Sequence, residues 1–360
     1  MPLTIEKAKP FFKYKGMTNK FSDYLNIKSK DLYIFVVDIH FFANVYPNKK
    51  PTFLFMNTIQ YLHRKRTYFK RLKIKKESVK VVLAHDTLSN KEVVNVHRTD
   101  ATNAGDFYSG PHHYFEPLKN RSLDIFDYKV EDKAVRDRWV HHIVDDALII
   151  GGGGLLCLPA FNRQMKLFEK LKAKNKKTVL WGVGHNSPHP LHFNKIKNYN
   201  VDPGSFGLAG VRDYGMKAEW VPCVSCLHPV FDRKVEEKRD VGIIFHKKTL
   251  ARKKGLRAFE KIPSLFNNDL FEKIVTFIGE TRTIITSSYH AMYWAMLLEK
   301  RVVVFPNSSK FFDFKYQPVI SDPVNYKTDI KKARSYSGVL EECRTINVKF
   351  AEKVFNYLNL

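Results

Sequence analysis

No stretch of this 360-residue chain approaches the roughly 18 consecutive apolar residues of a membrane-spanning helix. The opening sixteen residues, MPLTIEKAKPFFKYKG, have no apolar core of a secretory signal, so a cytoplasmic protein is expected. Cysteine is scarce: Cys157, Cys223, Cys226 and Cys343 are too few to staple so long a chain, which fits a reducing compartment. Acidic residues are outnumbered, 36 Asp and Glu against 61 Lys and Arg, leaving a net charge of +25. Such a field attracts polyanions; nucleic acid, an anionic membrane surface and phosphorylated small molecules all fit, and charge alone does not choose between them. Neither a G-x-G-x-x-G fingerprint nor a Walker loop occurs, and there is no internal repeat or low-complexity tract.

What the chain does have is a 44% hydrophobic content, enough for the core of one large domain or two ordinary ones. Short β-branched or aromatic runs recur at 32–39, 79–86, 146–154, 178–184, 206–213, 241–246, 283–288 and 301–306. Helix-like stretches lie between several of them, such as 161–177, where Met165, Phe168 and Leu171 share a face. Buried strands alternating with helices predict an α/β protein with mostly parallel sheet. The polar, proline-containing stretch 227–240 reads as a joint. The expectation is therefore two Rossmann-like, doubly wound domains facing across a cleft, 1–228 and 241–345, followed by a terminal helix at 346–360.

In doubly wound sheets ligands bind beyond the carboxyl ends of the strands, so loops directly after apolar runs hold the candidate residues. In DATNAGDFYSGPHHYF (100–115), small residues let backbone approach a ligand around Asn103, Gly105 and Asp106, although an Asx turn with a helix cap would read the same. Gly151–Gly154 removes four consecutive side chains from a strand end, and LWGVGHNSPHP repeats the theme with Gly184, His185 and Asn186. Glycine there points either to close approach of a phosphate or sugar, with Gly152, Gly153 and Gly184 on the donor side, or to a tight turn. Arg212, directly after a strand, offers a fork suited to a carboxylate or phosphate, unless it merely pairs with Asp213 at the surface. Ser287 and Ser288 can cap a helix starting near Tyr289, whose free amides favour an anion, and His290 lies in its first turn. Cys223, Cys226 and His228 are three potential zinc ligands without a fourth, and no metal site is expected.

The motifs NAGD, IIGGGGLL, WGVG, GVRD and TSSYHAMYWAMLL, in this order over residues 100–310, resemble the polysaccharide pyruvyl transferase family. The resemblance implies a fold like that of two-domain GT-B glycosyltransferases and no tightly bound cofactor. It also implies transfer of pyruvate from phosphoenolpyruvate onto a hexose of a surface glycan, presented free or lipid-linked at a membrane. Arg212 matches the family's arginine in its RD motif, which grips the donor, and His290 matches its SRxH histidine, a general acid for the enol carbon. Asp106 matches the NxGD loop on the acceptor side, where Asn103, Gly105, His185 and Asn186 are expected, and would take the hydroxyl proton.

One position departs from the family: Ser288 stands where an arginine precedes the histidine by two residues. Arg282, or Lys247 and Lys248 after VGIIFH, are the candidates to replace its charge at the donor. The departure also opens a second reading, a nucleotide-sugar-dependent glycosyltransferase of the bacteriophage type acting on DNA bases. The segment RKRTYFKRLKIKK (64–76), with Arg64, Lys65, Arg66, Lys70, Arg71 and Lys73 between aromatics on a helix, suits a phosphate backbone and stacked bases.

Overall fold

Strands here are short, apolar and buried on both faces, as expected where helices cover a parallel sheet from each side. The computed structural model describes residues 51–247 and 259–360, without the side chains of 51–60, 62 and 63. The chain divides into two units, Met1–Ile74 and Lys75–Leu360. The described part of the first unit is the beginning of helix α1 (Pro51–Ala84), and the apolar run at 32–39 lies outside the described residues. The VKVVLAHD run at 79–86, expected as a strand, instead continues α1. Its apolar residues Val79, Val82 and Leu83 fall at helical spacing and pack on one face of a sheet, so packing overrides the β propensity of valine.

The second unit holds two sheets, all of whose strand pairs are parallel. The first contains β1 (Val93–His97), β2 (Ser122–Asp124), β3 (Ala147–Ile150), β4 (Gly153–Leu156), β5 (Thr178–His185), β6 (Leu208–Val211) and β7 (Glu219–Trp220). They are ordered β2-β1-β3-β5-β6-β7, with β4 pairing β5. Period-two alternation divides the strands between two cores. Val94, Val96, Leu148, Ile150 and Leu180 face α1, helix α3 (Lys133–Asp145) and helix α4 (Asn162–Leu171); the short helix α2 (Ala104–Phe107) follows β1. Val93, Ile149, Val179 and Trp181 face the C-terminal helix, through Phe350, Val354 and Leu358.

The second sheet contains β8 (Arg239–Phe245), β9 (Ser264–Phe266), β10 (Thr281–Thr286), β11 (Arg301–Val304) and β12 (Val319–Ile320), ordered β12-β11-β10-β8-β9. Helices α5 (Phe271–Gly279) and α6 (Tyr289–Leu297) cover one face, followed in the chain by α7 (Tyr326–Asp329) and α8 (Val339–Leu358), the C-terminal helix. All nine residues of α6 are buried, the condition of a helix that is apolar all round. Ile243, Phe245, Ile285 and Val303 turn to the opposite face.

Both sheets reverse strand order once, between β1 and β3 in the first and between β8 and β10 in the second. At such a switch point the adjacent loops diverge and leave a crevice at the carboxyl ends of the strands.

Candidate functional site

The carboxyl-end loops of the two sheets touch one another. After β1, Asn103 receives a hydrogen bond from Asn267 Nδ2 at 2.9 Å, and Ala104 N–H donates to the Asn267 carbonyl at 3.3 Å. Gly105 lies against His290: a Cβ added there would sit 2.0 Å from the imidazole Nδ1. After β6, the Arg212 guanidinium stacks on Tyr289 at 3.8 Å.

Arg212 is only 1% exposed, and its Nε and Nη1 have no hydrogen-bond partner. It makes no surface pair with Asp213, whose carboxylate instead accepts from His185 N–H at 2.7 Å and from the Tyr199 hydroxyl at 3.1 Å. The room for the arginine comes from Gly184, where a Cβ would lie 2.7 Å from its Cγ and Nε. A buried guanidinium with empty donors is costly unless an anion completes it.

Asp106 lies near this cation. Its carboxylate accepts from Asn103 Nδ2 at 2.6 Å, and a Cβ on Gly153 would come within 3.9 Å of Oδ1. Burial raises its pKa above the usual carboxylate range, against the pull of Lys310 and Arg212. The glycines act here by close approach: the Gly152 N–H donates to the Ser109 carbonyl at 2.9 Å, and Gly153 has φ +96°, a conformation side chains disfavour.

His290 is buried, 7% exposed, with Nε2 3.7 Å from Cys223 Sγ and its ring beside Trp294. Burial, and then the charges of Arg212 and Lys310, hold its pKa well below the ordinary value. Its surroundings therefore favour the neutral ring.

Ser288 occupies the N-cap of α6, but its side chain makes no capping bond; Thr286 Oγ1 accepts the Ser288 N–H instead, at 2.9 Å. The Ser287 hydroxyl accepts from His246 N–H at 3.0 Å. The start of the helix thus keeps amides without a side-chain acceptor, beside Arg212.

Other expected residues are positioned differently. His185, expected at the acceptor, is fully buried and bonded on both nitrogens, to Ser309 Oγ at 2.7 Å and Asp313 Oδ2 at 2.6 Å. It clamps the end of β5 to the loop after β11 and has no atom left for a substrate. Asn186 is partly exposed, with its side chain against Gly154. Lys247 gives its ammonium to Asp100 at 3.0 Å and to Thr102, so its charge is committed within the protein. Despite partial burial, Thr102 and Lys247 keep the Asp100 carboxyl below its usual range. Lys248 lies outside the described residues. Arg282 cannot replace the family arginine: it lies near the amino end of β10, 57% exposed and paired with Glu237 and Asp240. Cys223, Cys226 and His228 do not assemble as ligands, since both cysteines are fully buried and His228 Nδ1 accepts from Val230 N–H.

Lys310 carries no expectation from the sequence, yet its charge acts on both Asp106 and His290. The signal available was its position in FPNSSKFF, the loop after another apolar strand. Tyr289, read only as a helix start, is the platform for Arg212.

In the first unit, Arg64, Arg66, Lys70, Arg71 and Lys73 of α1 are exposed and Lys65 partly so, its ammonium 4.5 Å from the Tyr61 ring. Tyr68 and Phe69 are 58% and 62% exposed beside them. Among the described residues no helix is long and apolar enough to cross a membrane.

The chain is similar in structure to a Klebsiella pneumoniae protein of uncharacterized function, at 12% identity over 65% of this chain and 88% of that one, with a TM-score of 0.34. No curated protein matches it. The family model described as polysaccharide pyruvyl transferase matches residues 36–309. On that match, which takes in the first sheet and the second through β11, the chain belongs to the polysaccharide pyruvyl transferase family.

Proposed function

We propose that the chain transfers a pyruvyl or closely related group from an anionic donor, phosphoenolpyruvate in the first instance, to a sugar hydroxyl of a glycan. The observation that carries this reading is the buried, partnerless guanidinium of Arg212 at the start of α6. The two sheets act as donor and acceptor halves of a GT-B-like arrangement, with the donor between Arg212 and the uncapped helix start and the acceptor on the Asp106 side.

Ketal formation from phosphoenolpyruvate breaks the C2–O bond to phosphate and forms two bonds from C2 to sugar oxygens. Of the two hydroxyl protons released, one ends on the enol carbon as a methyl hydrogen and the other leaves with phosphate. Asp106, its pKa raised by burial, takes the first proton and returns it to the enol carbon. Neutral His290 holds the Asp106 loop in place through Gly105. Lys310 supplies the positive charge that Ser288 in place of arginine does not.

The exposed cations and aromatics of α1 favour one second reading, a nucleotide-sugar donor with DNA as acceptor. Thermal-shift titration separates the two. Phosphoenolpyruvate should stabilise the protein, and Arg212→Met should abolish that shift. Stabilisation by a UDP-, GDP- or CDP-linked compound in place of phosphoenolpyruvate, with DNA binding that falls steeply with salt, would establish the second reading instead.

A further inference from the structure

Behind the Asp106 loop, three histidines converge. His97 ends β1, and His112 and His113 lie in the short 3-10 turn Pro111–His113 beyond α2; one ring nitrogen of each lies within 4.8 Å of the other two. The rings lie close but tilted to one another, with centroids 3.9 Å apart for His112 and His113 and 4.9 Å for His97 and His112. No other cluster with metal-binding spacing occurs among the described residues.

The hydrogen bonds around this cluster fix which nitrogens hold lone pairs. Asn95 uses its amide nitrogen on the carbonyls of Ile149 and Gly151, at 3.0 and 2.9 Å, so its Oδ1 can only accept. His112 Nδ1, 2.9 Å from that oxygen, must carry the hydrogen, which leaves Nε2 with a lone pair. His113 Nε2 donates to the Phe107 carbonyl at 3.0 Å, leaving Nδ1 with one. Metal-bound histidines show this pattern, the distal N–H held by a carbonyl or amide oxygen and the other nitrogen on the ion. His97 is fully buried, with the Asp106 backbone as a hydrogen-bonding neighbour and no well-formed hydrogen bond on either ring nitrogen. A buried imidazole with both nitrogens empty is rare unless something missing completes it. Gly110 makes the fit possible, since a Cβ there would lie 2.7 Å from the His112 ring and 2.9 Å from Asn95 Oδ1.

We infer that His97, His112 and His113 bind one divalent transition-metal ion, Zn²⁺ by preference, with a fourth position open to water. Three imidazoles suit zinc in affinity and geometry, and tetrahedral coordination would draw the nitrogens in to about 3.4 Å by small ring rotations. The ion would tie the end of β1 to the segment carrying Asp106 and Ser109, and so fix the loop that the Gly152 N–H grips. Its role is to position that loop, whichever donor the site takes.

The full-length protein, stripped by a chelator and dialysed, is titrated with Zn²⁺ against a chromophoric competitor. One equivalent is expected, with a Kd of about 0.1 μM or tighter. The His112→Ala/His113→Ala variant should bind about 100-fold more weakly or worse. Should that variant not fold, X-ray absorption on the wild-type protein loaded with Zn²⁺ or Co²⁺ decides: three imidazoles and no sulfur are expected. Substoichiometric binding, sulfur in the coordination shell, or unchanged affinity in the folded double variant would each overturn the site. None of these readouts depends on turnover.

Discussion

His185 and Arg212 leave neighbouring strands at the same end of the same sheet, and both are buried, yet their surroundings are opposite. Around His185 every donor meets an acceptor. Ser309 Oγ accepts the Ser187 N–H at 2.9 Å and stands 2.7 Å from Nδ1, while Nε2 faces Asp313. Around Arg212, two donors have no acceptor, and the guanidinium lies over the face of Tyr289. The first network is complete without a ligand and belongs to the architecture. The second stores an unmet electrostatic demand, and proteins keep such a demand where an anionic ligand will meet it.

The sharpest way to break this contrast is to remove the unmet charge. Arg212→Met should lower kcat/KM by about 10³-fold, as loss of a buried charge-assisted contact to the reacting group does, while the melting temperature holds or rises. Arg212→Lys should recover little, because one ammonium cannot reproduce the stacked fork. A folded Arg212→Met protein with wild-type turnover would remove the arginine from the mechanism. Next in size, Asp106→Asn should reduce turnover by about 10²-fold. The pKa of Asp106 is raised on folding, so this carboxyl favours the folded state at low pH, and the benefit is lost as pH rises through the folded value. The amide should therefore stabilise the protein above that pH. Wild-type activity should rise with pH across the same range, since only the carboxylate accepts a proton. A flat activity profile there would contradict the role. Third, His185→Ala should destabilise by about 2–3 kcal/mol in denaturant unfolding, because it removes one of the two bonds of buried Ser309 and leaves partly exposed Asp313 without its imidazole, with donor binding per folded molecule unchanged. Weakened donor binding in that variant would erase the distinction between the two networks.

Much of this was legible in the sequence for a physical reason: parallel strands buried on both faces must be continuous apolar runs, and VGIIFH, TIITSS and RVVVFP were found as β8, β10 and β11. The same rule misread VKVVLAHD, since valines at helical spacing look like a strand until their packing face is known. It also passed over VVNVH, whose buried Asn95 and His97 break the apolar run. Those two exceptions are where the proposed metal cluster lies, so polarity inside a strand hid the element and marked the site. Loop residues were findable as positions after strands. Their roles were not, because whether His185, Lys247 or Arg212 is already partnered depends on residues 77 to 147 positions away, such as Tyr289, Ser309 and Asp100.

The smallest effect belongs to Lys247, which tests whether a cation near the candidate site must belong to it. Its Nζ lies 3.0 Å from Asp100 and 2.8 Å from Thr102 Oγ1, and its side chain is 29% exposed. A pair so close to solvent is worth well under about 1 kcal/mol, and its charges are already neutralised against each other. Lys247→Met should therefore change the donor KM by less than about threefold and barely move the unfolding midpoint. Asp100→Asn should do the same, and the double variant should be no worse than either single change, the result for two groups whose main partner is each other. If Lys247 instead reaches the donor's phosphate, Lys247→Met alone would raise the donor KM about tenfold or more while Asp100→Asn lowered it, because freeing the ammonium from the carboxylate would strengthen its hold on the anion. The opposite directions of the two single variants distinguish these cases without a structure of the complex.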